Sequence, residues 1–522
     1  MIQFPGKRVW GISANTYPGY TFDASLDSDF GLPHCETQAQ CITNSSCSNL
    51  AIFYNGVSGH NTKMCSGYAD KQLDYIYSAI IKAQHFVDIT TLEHLPDSKF
   101  RSTIRNALTF LATTGRKITV RILDGLYEPI PTVTEKNEQI AQQYLPSSHT
   151  TSAFLVNLIR DLKNIPSSNV DIYVAGMRSQ SGTANTNLSR GKYDSLKGYM
   201  SFSWNHSKII DVDGTHVITG GVNMFSKDYL TKKPAFDLMI EIKGPAANKT
   251  LGFTNLLWNF VRNNKNDPLH VIEYSASKPH HYRVVKSDIP SNLIGDNTSP
   301  GNIKVLSIGR TGCGLYAPGI AQQHNTSDYA FYDLLSKAQR TIYIAQQSLK
   351  ASFNIWPLNT TNRPHTNLMS ALASLLVNKG NVYIVTSPYN TSIPLELGYE
   401  SLATPKEMWD KVENEAIAMY TKIPKSTIDH ALCGKLHIAT IRFNQYDTTW
   451  PDGSKIYDHY KFMMVDSHIF YLGSQNFYPS GLQNYGYIID DRGTADVIKD
   501  DFWNKLWSYS SSSEYKPSQC LA

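Results

Sequence analysis

The chain has 522 residues, 41% hydrophobic and 18% charged, which is the balance of a globular protein rather than a disordered one. A net charge of +4 is small for this length, so no nucleic acid is expected as partner, though an anionic or zwitterionic substrate fits. No run approaches the roughly 18 apolar residues of a membrane span, and Met1-Ile2-Gln3-Phe4-Pro5-Gly6-Lys7 has no apolar secretory core, leaving a trimmed form or export by another route. Seven cysteines (Cys35, Cys41, Cys47, Cys65, Cys313, Cys433, Cys520) lack the paired spacing of a zinc site. The four early ones suit a local disulfide cluster if the protein meets an oxidising compartment.

Residues 1 to about 68 read as loop-rich, and a regular α/β pattern follows. Asp70–Gln84 carries a helical apolar stripe, Phe86–Thr90 reads as a buried strand, and Ser98 caps a helix that Gly115 ends. Strands are expected at Lys117–Leu123 and Val170–Ala175, with a helix at Ser152–Lys163 between them. Residues 177–200 are polar and aperiodic, the pattern of a long binding loop or lid.

The next stretch gathers chemistry. His206-x-Lys208 leads into a strand predicted over Ser207–Val212, Asp213-Gly214 makes a hairpin turn, and Thr215–Thr219 returns to Gly220-Gly221-Val222-Asn223. A nucleophile or base, a fixed cation and an amide are brought together within 18 residues. A strand at Asp237–Ile242 and a helix at Ala246–Asn263 complete the first half, and the Asn-, Pro- and Ser-rich residues 264–302 separate two lobes, 1–270 and 271–522.

The second half repeats this order. Strands are expected at Ile303–Ile308, Thr341–Ala345, Asn381–Thr386 and His437–Phe443, with helices at Tyr329–Arg340, Asn367–Asn378 and Pro405–Ile423. The alternation implies an α/β fold with mixed, largely parallel sheets and helices on both faces. His459-x-Lys461, Asp466, a returning strand at Ile469–Leu472, and Gly473-Ser474-Gln475-Asn476 then reproduce the first constellation. The His-to-Asn spacing is identical (206 to 223, 459 to 476). Two matched sets of four residue types do not arise easily by chance.

The paired His-x-Lys-x4-Asp motif resembles the signature of the phospholipase D superfamily, and the likeness covers most of the chain. Phe202-Ser-Trp-Asn-His-Ser-Lys-Ile, Lys227-Asp-Tyr-Leu, Gly244-Pro-Ala-Ala, Ile344-Ala-Gln-Gln and the run from Tyr471 to Ile488 are similar to the bacterial, Streptomyces-type phospholipases D. The resemblance implies two α/β/α sandwich lobes related by a pseudo-twofold, with one active site between them and a monomer as the working unit. It implies His206 as nucleophile and His459 as the acid that protonates the leaving alcohol and then activates water. Lys208, Lys461, Asn223 and Asn476 would hold the phosphoryl oxygens, so no metal or other cofactor is needed. Asp213 and Asp466 would fix the hairpins. Asp237 would orient His459, and the matching partner of His206 is Asn484, where those relatives carry Asp. An amide can set a tautomer but cannot balance an imidazolium as a carboxylate does. The resemblance also implies Cys35–Cys41 and Cys433–Cys520 bridges.

The implied activity is hydrolysis of a glycerophospholipid such as phosphatidylcholine or phosphatidylethanolamine at a membrane surface, with alcohols competing with water. A secreted protein, or one exported into a host, is the corresponding expectation. Phe353-Asn-Ile-Trp-Pro and Thr449-Trp-Pro are candidate membrane-meeting loops or core segments. The rivals are a nuclease or other phosphodiesterase of the same superfamily and a non-catalytic membrane-binding protein.

Overall fold

The computed structural model describes residues 2–3, 71–92, 95–125, 151–180, 193–194, 199–200, 202–230, 234–263, 271–277, 282–285, 288–312, 315, 326–349, 368–389, 399–401, 403–442, 449–450, 453–477 and 482–521. Cys35, Cys41, Cys47, Cys65 and the Phe353–Pro357 segment lie outside them.

The first half begins with β1 (Ile2–Gln3), α1 (Lys71–Ile80), β2 (Phe86–Leu92), α2 (Ser98–Thr113), β3 (Ile118–Gly125), α3 (Thr151–Leu158) and β4 (Val170–Gln180). A short ribbon of β5 (Tyr193–Asp194) and β6 (Tyr199–Met200) precedes β7 (Phe202–Trp204), β8 (Ile209–Val212) and β9 (His216–Gly220). The half closes with α4 (Ser226–Tyr229), β10 (Met239–Lys243), α5 (Pro245–Asn263), β11 (Val271–Tyr274) and β12 (Tyr282–Val285). The second half contains β13 (Lys304–Arg310), α6 (Thr326–Ser336), β14 (Thr341–Gln346), α7 (Leu368–Val377) and β15 (Asn381–Thr386). It continues through α8 (Pro405–Met419), α9 (Lys425–Cys433), β16 (Leu436–Thr440), β17 (Lys461–Val465), β18 (Ile469–Gly473), β19 (Asn484–Asp490), α10 (Arg492–Ile498) and α11 (Asn504–Ser510).

Each half builds one mixed sheet, and the two share an order. The first contains β10-β9-β8-β2-β3-β4 and the second β19-β18-β17-β14-β15-β16. Three cores result. One lies between the first sheet and α1–α3, another between the second sheet and α6–α9. The third joins the halves, packing Ile209, Val217 and Trp258 with Phe462, Tyr485 and Trp503. Two α/β/α lobes thus meet across a common apolar layer that contains α5 and the helices after β19.

Several expectations are corrected. The sheets are mixed as expected, but among the described residues the parallel strand pairs are confined to β2-β3-β4 and β14-β15-β16. The other pairings are antiparallel because the motif strands are joined by hairpins rather than by crossover helices. Ser98 is the first residue of α2, and Asp97 takes the cap position. The helix expected to Ile423 stops at Met419, and α9 starts after Pro424. β4 runs on to Gln180, taking the start of the expected 177–200 loop into the sheet, where β7 pairs with it. Residues 181–192 are outside the described set. The first sheet takes up strands as far as Val285, past residue 270. Cys433, at the end of α9, and Cys520 are 5.1 Å apart at Cα with their sulfurs at bonding distance.

The motif aspartates have a structural setting in both lobes. Asp213 and Gly214 turn with φ of 55° and 66°, and Asp466 and Ser467 with 53° and 54°, the double left-handed geometry of a tight hairpin. The Asp213 carboxylate accepts the backbone N–H groups of Gln84, His85 and Phe86 at 2.7, 2.9 and 2.8 Å. Asp466 accepts those of Gln339, Arg340 and Thr341 at 3.0, 2.7 and 2.9 Å. Each aspartate ties its hairpin to the start of the neighbouring parallel strand. Asp213→Ala strands three donors, so a stability loss of about 2–4 kcal/mol is expected. Urea unfolding reads it, and an unchanged midpoint would contradict this role.

Candidate active site

The two His-x-Lys segments lead into β8 and β17, and both reach across to the opposite lobe. His206 N–H donates to the carbonyl of Gln483 at 2.8 Å, and Gln483 N–H to that of Trp204 at 3.2 Å. In the mirrored crossing, His459 N–H donates to the Phe236 carbonyl at 2.8 Å and Phe236 N–H to that of Tyr457 at 3.0 Å. These main-chain bridges set each histidine against side chains of the other half. β8 itself starts at Ile209, so His206 and Lys208 precede it rather than lying within it.

His206 is buried, and its Nδ1 lies 2.8 Å from Asn484 Oδ1 and 3.2 Å from the Ser474 carbonyl. Asn484 Nδ2 donates to the Leu482 carbonyl at 3.3 Å, which turns its oxygen toward the ring. Both neighbours of Nδ1 are acceptors, so Nδ1 carries the proton and Nε2 keeps its lone pair. His459 differs. Its Nδ1 lies 2.6 Å from Asp237 Oδ2 and 2.9 Å from the Tyr229 hydroxyl. Asp237 Oδ1 accepts the Leu238 N–H at 2.8 Å. A Cβ at Gly221 would fall 2.1 Å from Asp237 Oδ1, so glycine there makes room for the carboxylate. The corresponding residue of the second copy is Ser474, whose hydroxyl donates to Asn484 Oδ1 at 3.2 Å.

Lys208 and Lys461 are fully buried, and each Nζ donates to the carbonyl of its own histidine, His206 at 2.6 Å and His459. Lys461 Nζ is also 4.0 Å from Asp237 Oδ2. Asn223 and Asn476 are buried where the returning strands end. Asn223 lies beside Tyr399, whose ring packs edge-on against His459 at 4.6 Å between centroids. The turn before Asn476 is held by Gln475, which donates to Asp328 Oδ1 at 2.8 Å. Arg310 Nε in turn pairs with Asp328 at 3.1 Å. The structure therefore gathers His206, Lys208, Asp237, His459, Lys461 and Asn484, with Asn223 reaching them through Tyr399. Asp213 and Asp466 stand apart, at the far ends of β8 and β17.

Sequence reasoning missed Tyr229, Tyr399 and the Ser474 carbonyl. Tyr229 lay within a family-like run, but nothing in the local pattern marked Tyr399. Of the two roles left open for Thr449-Trp-Pro, the core one holds: the Trp450 ring is buried and stacked 6.4 Å from Phe236.

Burial governs the ionisation of the site. Desolvation, then Lys208 and Lys461, push His206 well below the usual imidazole value. Desolvation and the same two lysines do likewise to His459. Burial raises Asp237 to about 7 against the pull of Lys461. These opposed shifts mean that a separated ion pair is disfavoured, so near neutral pH one proton is held between Asp237 and His459. Burial and the neighbouring Lys461 lower Lys208 strongly, and burial lowers Lys461 to about 8. Two cations in a dry cleft, with Asp237 shared between them, leave a positive excess that an anion would relieve.

Comparison with known proteins agrees with the sequence motif. Residues 331–507, which include the second copy, match the family model described as cardiolipin synthase, PLD-like domain. A phospholipase D of Streptomyces antibioticus is 27% identical over 481 residues, 86% of this chain and 79% of that protein. Among solved structures, the phosphatidylserine synthase of Haemophilus influenzae Rd KW20 aligns with a TM-score of 0.47 and 14% identity over 86% of each chain. NucT from Helicobacter pylori aligns with a TM-score of 0.23 and 14% identity over 37% of this chain and 91% of that one. The PLD-like domain match over residues 331–507 and the likeness to a Streptomyces phospholipase D support the class that two motif-bearing α/β/α halves around one histidine-lysine centre suggest, the phospholipase D superfamily. Within that superfamily its likeness extends to the Streptomyces type.

Anion binding should take up protons. Free Lys461 titrates at about 8, and a bound anion raises that value, so below pH 8 the lysine is already charged and above it binding must recruit a proton. Affinity for vanadate or inorganic phosphate is expected to weaken as pH rises through about 8. Calorimetry in two buffers of different ionisation enthalpy measures the proton count, and proton-neutral binding at pH 9 would contradict the assignment.

Proposed function

We propose that the chain is a phospholipase D that hydrolyses glycerophospholipids at a membrane surface, giving phosphatidic acid and the free head-group alcohol through a phosphohistidine on His206. The carrying observation is the unequal setting of the two histidines. His206 has Nδ1 bonded to an amide oxygen and a carbonyl, while His459 shares a proton with a buried carboxyl. One ring is therefore a neutral nucleophile while the other can donate a proton.

In the first step the His206 Nε2 lone pair forms a bond to phosphorus, and the bond from phosphorus to the head-group oxygen breaks. His459 gives that oxygen its proton, so a neutral alcohol leaves. In the second step water attacks phosphorus, passes a proton to His459 and releases His206. Lys208 and Lys461 neutralise the non-bridging oxygens, with Asn223 and Asn476 as amide donors. That stabilisation of developing charge in a dry site is the larger part of catalysis on a phosphodiester. An alcohol in place of water in the second step gives transphosphatidylation. One chain carries both halves, so a monomer is sufficient, and this reading takes the protein to lipid outside the cell that makes it.

The acid side supports a cationic head group. Tyr399 packs on His459, lies 6.0 Å from Tyr229 and 6.3 Å from Tyr457, and donates to Asp228 at 2.8 Å. Tyr457 donates to Glu400 at 3.4 Å. Aromatic faces backed by carboxylates favour choline or ethanolamine as the departing alcohol.

The test is head-group release from liposomes of mixed phosphatidylcholine and phosphatidylethanolamine. Wild type should release head group, and His206→Ala and His459→Ala should each lose at least about 10³-fold. Cleavage of single-stranded DNA or bis-p-nitrophenyl phosphate with no lipid turnover would favour the phosphodiesterase reading. Liposome binding unaffected by His206→Ala, without release, would favour a binding protein.

A further inference from the structure

The two copies differ in charge in a way the scheme above does not use. Beside His206 the preceding residue is Asn205 and the ring partner is Asn484. Beside His459 they are Asp458 and Asp237. Asn205 spends its whole amide on local structure. Nδ2 donates to the Thr91 and Ser207 carbonyls at 2.9 and 3.3 Å, and Oδ1 accepts the Ser207 N–H and hydroxyl at 3.1 and 2.6 Å. Asp458 stands in the same place and is fully buried. Its Oδ1 accepts the Tyr460 N–H at 2.7 Å, the counterpart of the Ser207 bond. The Ser387 hydroxyl brackets its main chain, accepting from Asp458 N–H at 2.7 Å and donating to its carbonyl at 2.6 Å. Oδ2 has no hydrogen-bond partner among the described residues.

An amide meets the structural need of this position, as Asn205 demonstrates. A buried carboxyl with an unbonded oxygen is a less favourable choice unless its charge matters. The ionisable groups acting on it are Lys461 on its own segment, Asp237 from the first lobe and Tyr460. Ser387, from the end of β15, does not titrate. A carboxylate here offsets the repulsion that Lys461 exerts on a protonated His459, and no such group stands beside His206.

We propose that Asp458 is a positioning residue that acts with Asp237 to keep the proton on His459, so that confining both carboxyls to one side fixes which histidine attacks and which donates. This rests on the phospholipase D reading of the site. Burial holds the Asp458 carboxyl well above the usual carboxylate range against the pull of the Tyr460 N–H and of Lys461, so its charge becomes available only when the protonated His459 adds to the positive charge beside it.

Leaving-group dependence tests this. Asp458→Asn keeps the Tyr460 bond but removes the charge. Release of choline, a poor leaving group, should fall about 10-fold or more, with the alkaline limb of the pH profile moved to lower pH. With a p-nitrophenyl ester of the same phosphatidyl group, which needs no acid, the loss should shrink to about 3-fold or less. Asn205→Asp is the complementary variant: a carboxyl on the other side raises His206, so the acidic limb should move to higher pH. Equal losses of both substrates in Asp458→Asn, or unmoved limbs in the two variants, would overturn the proposal. If wild type turns over neither lipid, the functional reading fails instead, and the proposal falls with it. Should Asp458→Asn not fold, the Asn205→Asp profile alone decides, a fixed acidic limb refuting it.

Discussion

The site depends on two main-chain crossings, Gln483 with His206 and Phe236 with His459. Each is a single β-bridge between lobes, and each places a histidine ring against an orienting side chain that its own half cannot supply. Neither half is a site alone. The shared apolar layer of Trp258, Phe462, Tyr485 and Trp503 holds the halves in register, so packing far larger than the site fixes distances of 2.6 to 2.8 Å within it.

The pseudo-twofold gives two nearly equal half-sites, yet in-line displacement needs two unequal histidines. Small departures from symmetry supply the inequality. Gly221 admits Asp237, whereas Ser474 supports Asn484. Asp458 stands where the other lobe has Asn205. The two lysines, by contrast, are kept alike, each turned back on its own histidine carbonyl. On the proposed reading, charge neutralisation is symmetric and proton handling is not, which matches a phosphoryl group whose non-bridging oxygens are equivalent while its entering and leaving groups are not.

Much of this was legible in the chain. The repeated His-x-Lys-x4-Asp spacing led to both half-sites. Periodicity found the central strands β2, β3, β14 and β15 because they are buried on both faces and read as continuous apolar runs. Asn484 and Asp237 were legible only through family resemblance, since no local pattern says which lobe a side chain will serve. Strand direction was overstated because alternation of helix and strand reports the crossover units and says little about hairpins added to the sheet edge. Tyr399 escaped because it packs on a residue 60 positions away. The place of Trp450 stayed open in the sequence because a Trp-Pro turn looks the same whether the ring meets lipid or, as here, Phe236.

The central claim is that His206, and not His459, takes the phosphatidyl group. Rapid acid-free quenching of enzyme turning over phosphatidylcholine, followed by peptide mass spectrometry, tests it directly. The account predicts a phosphatidyl adduct on the peptide bearing His206, accumulating further in His459→Ala when the lipid carries a good leaving group. An adduct on His459, or turnover with no covalent species on either histidine, would contradict it.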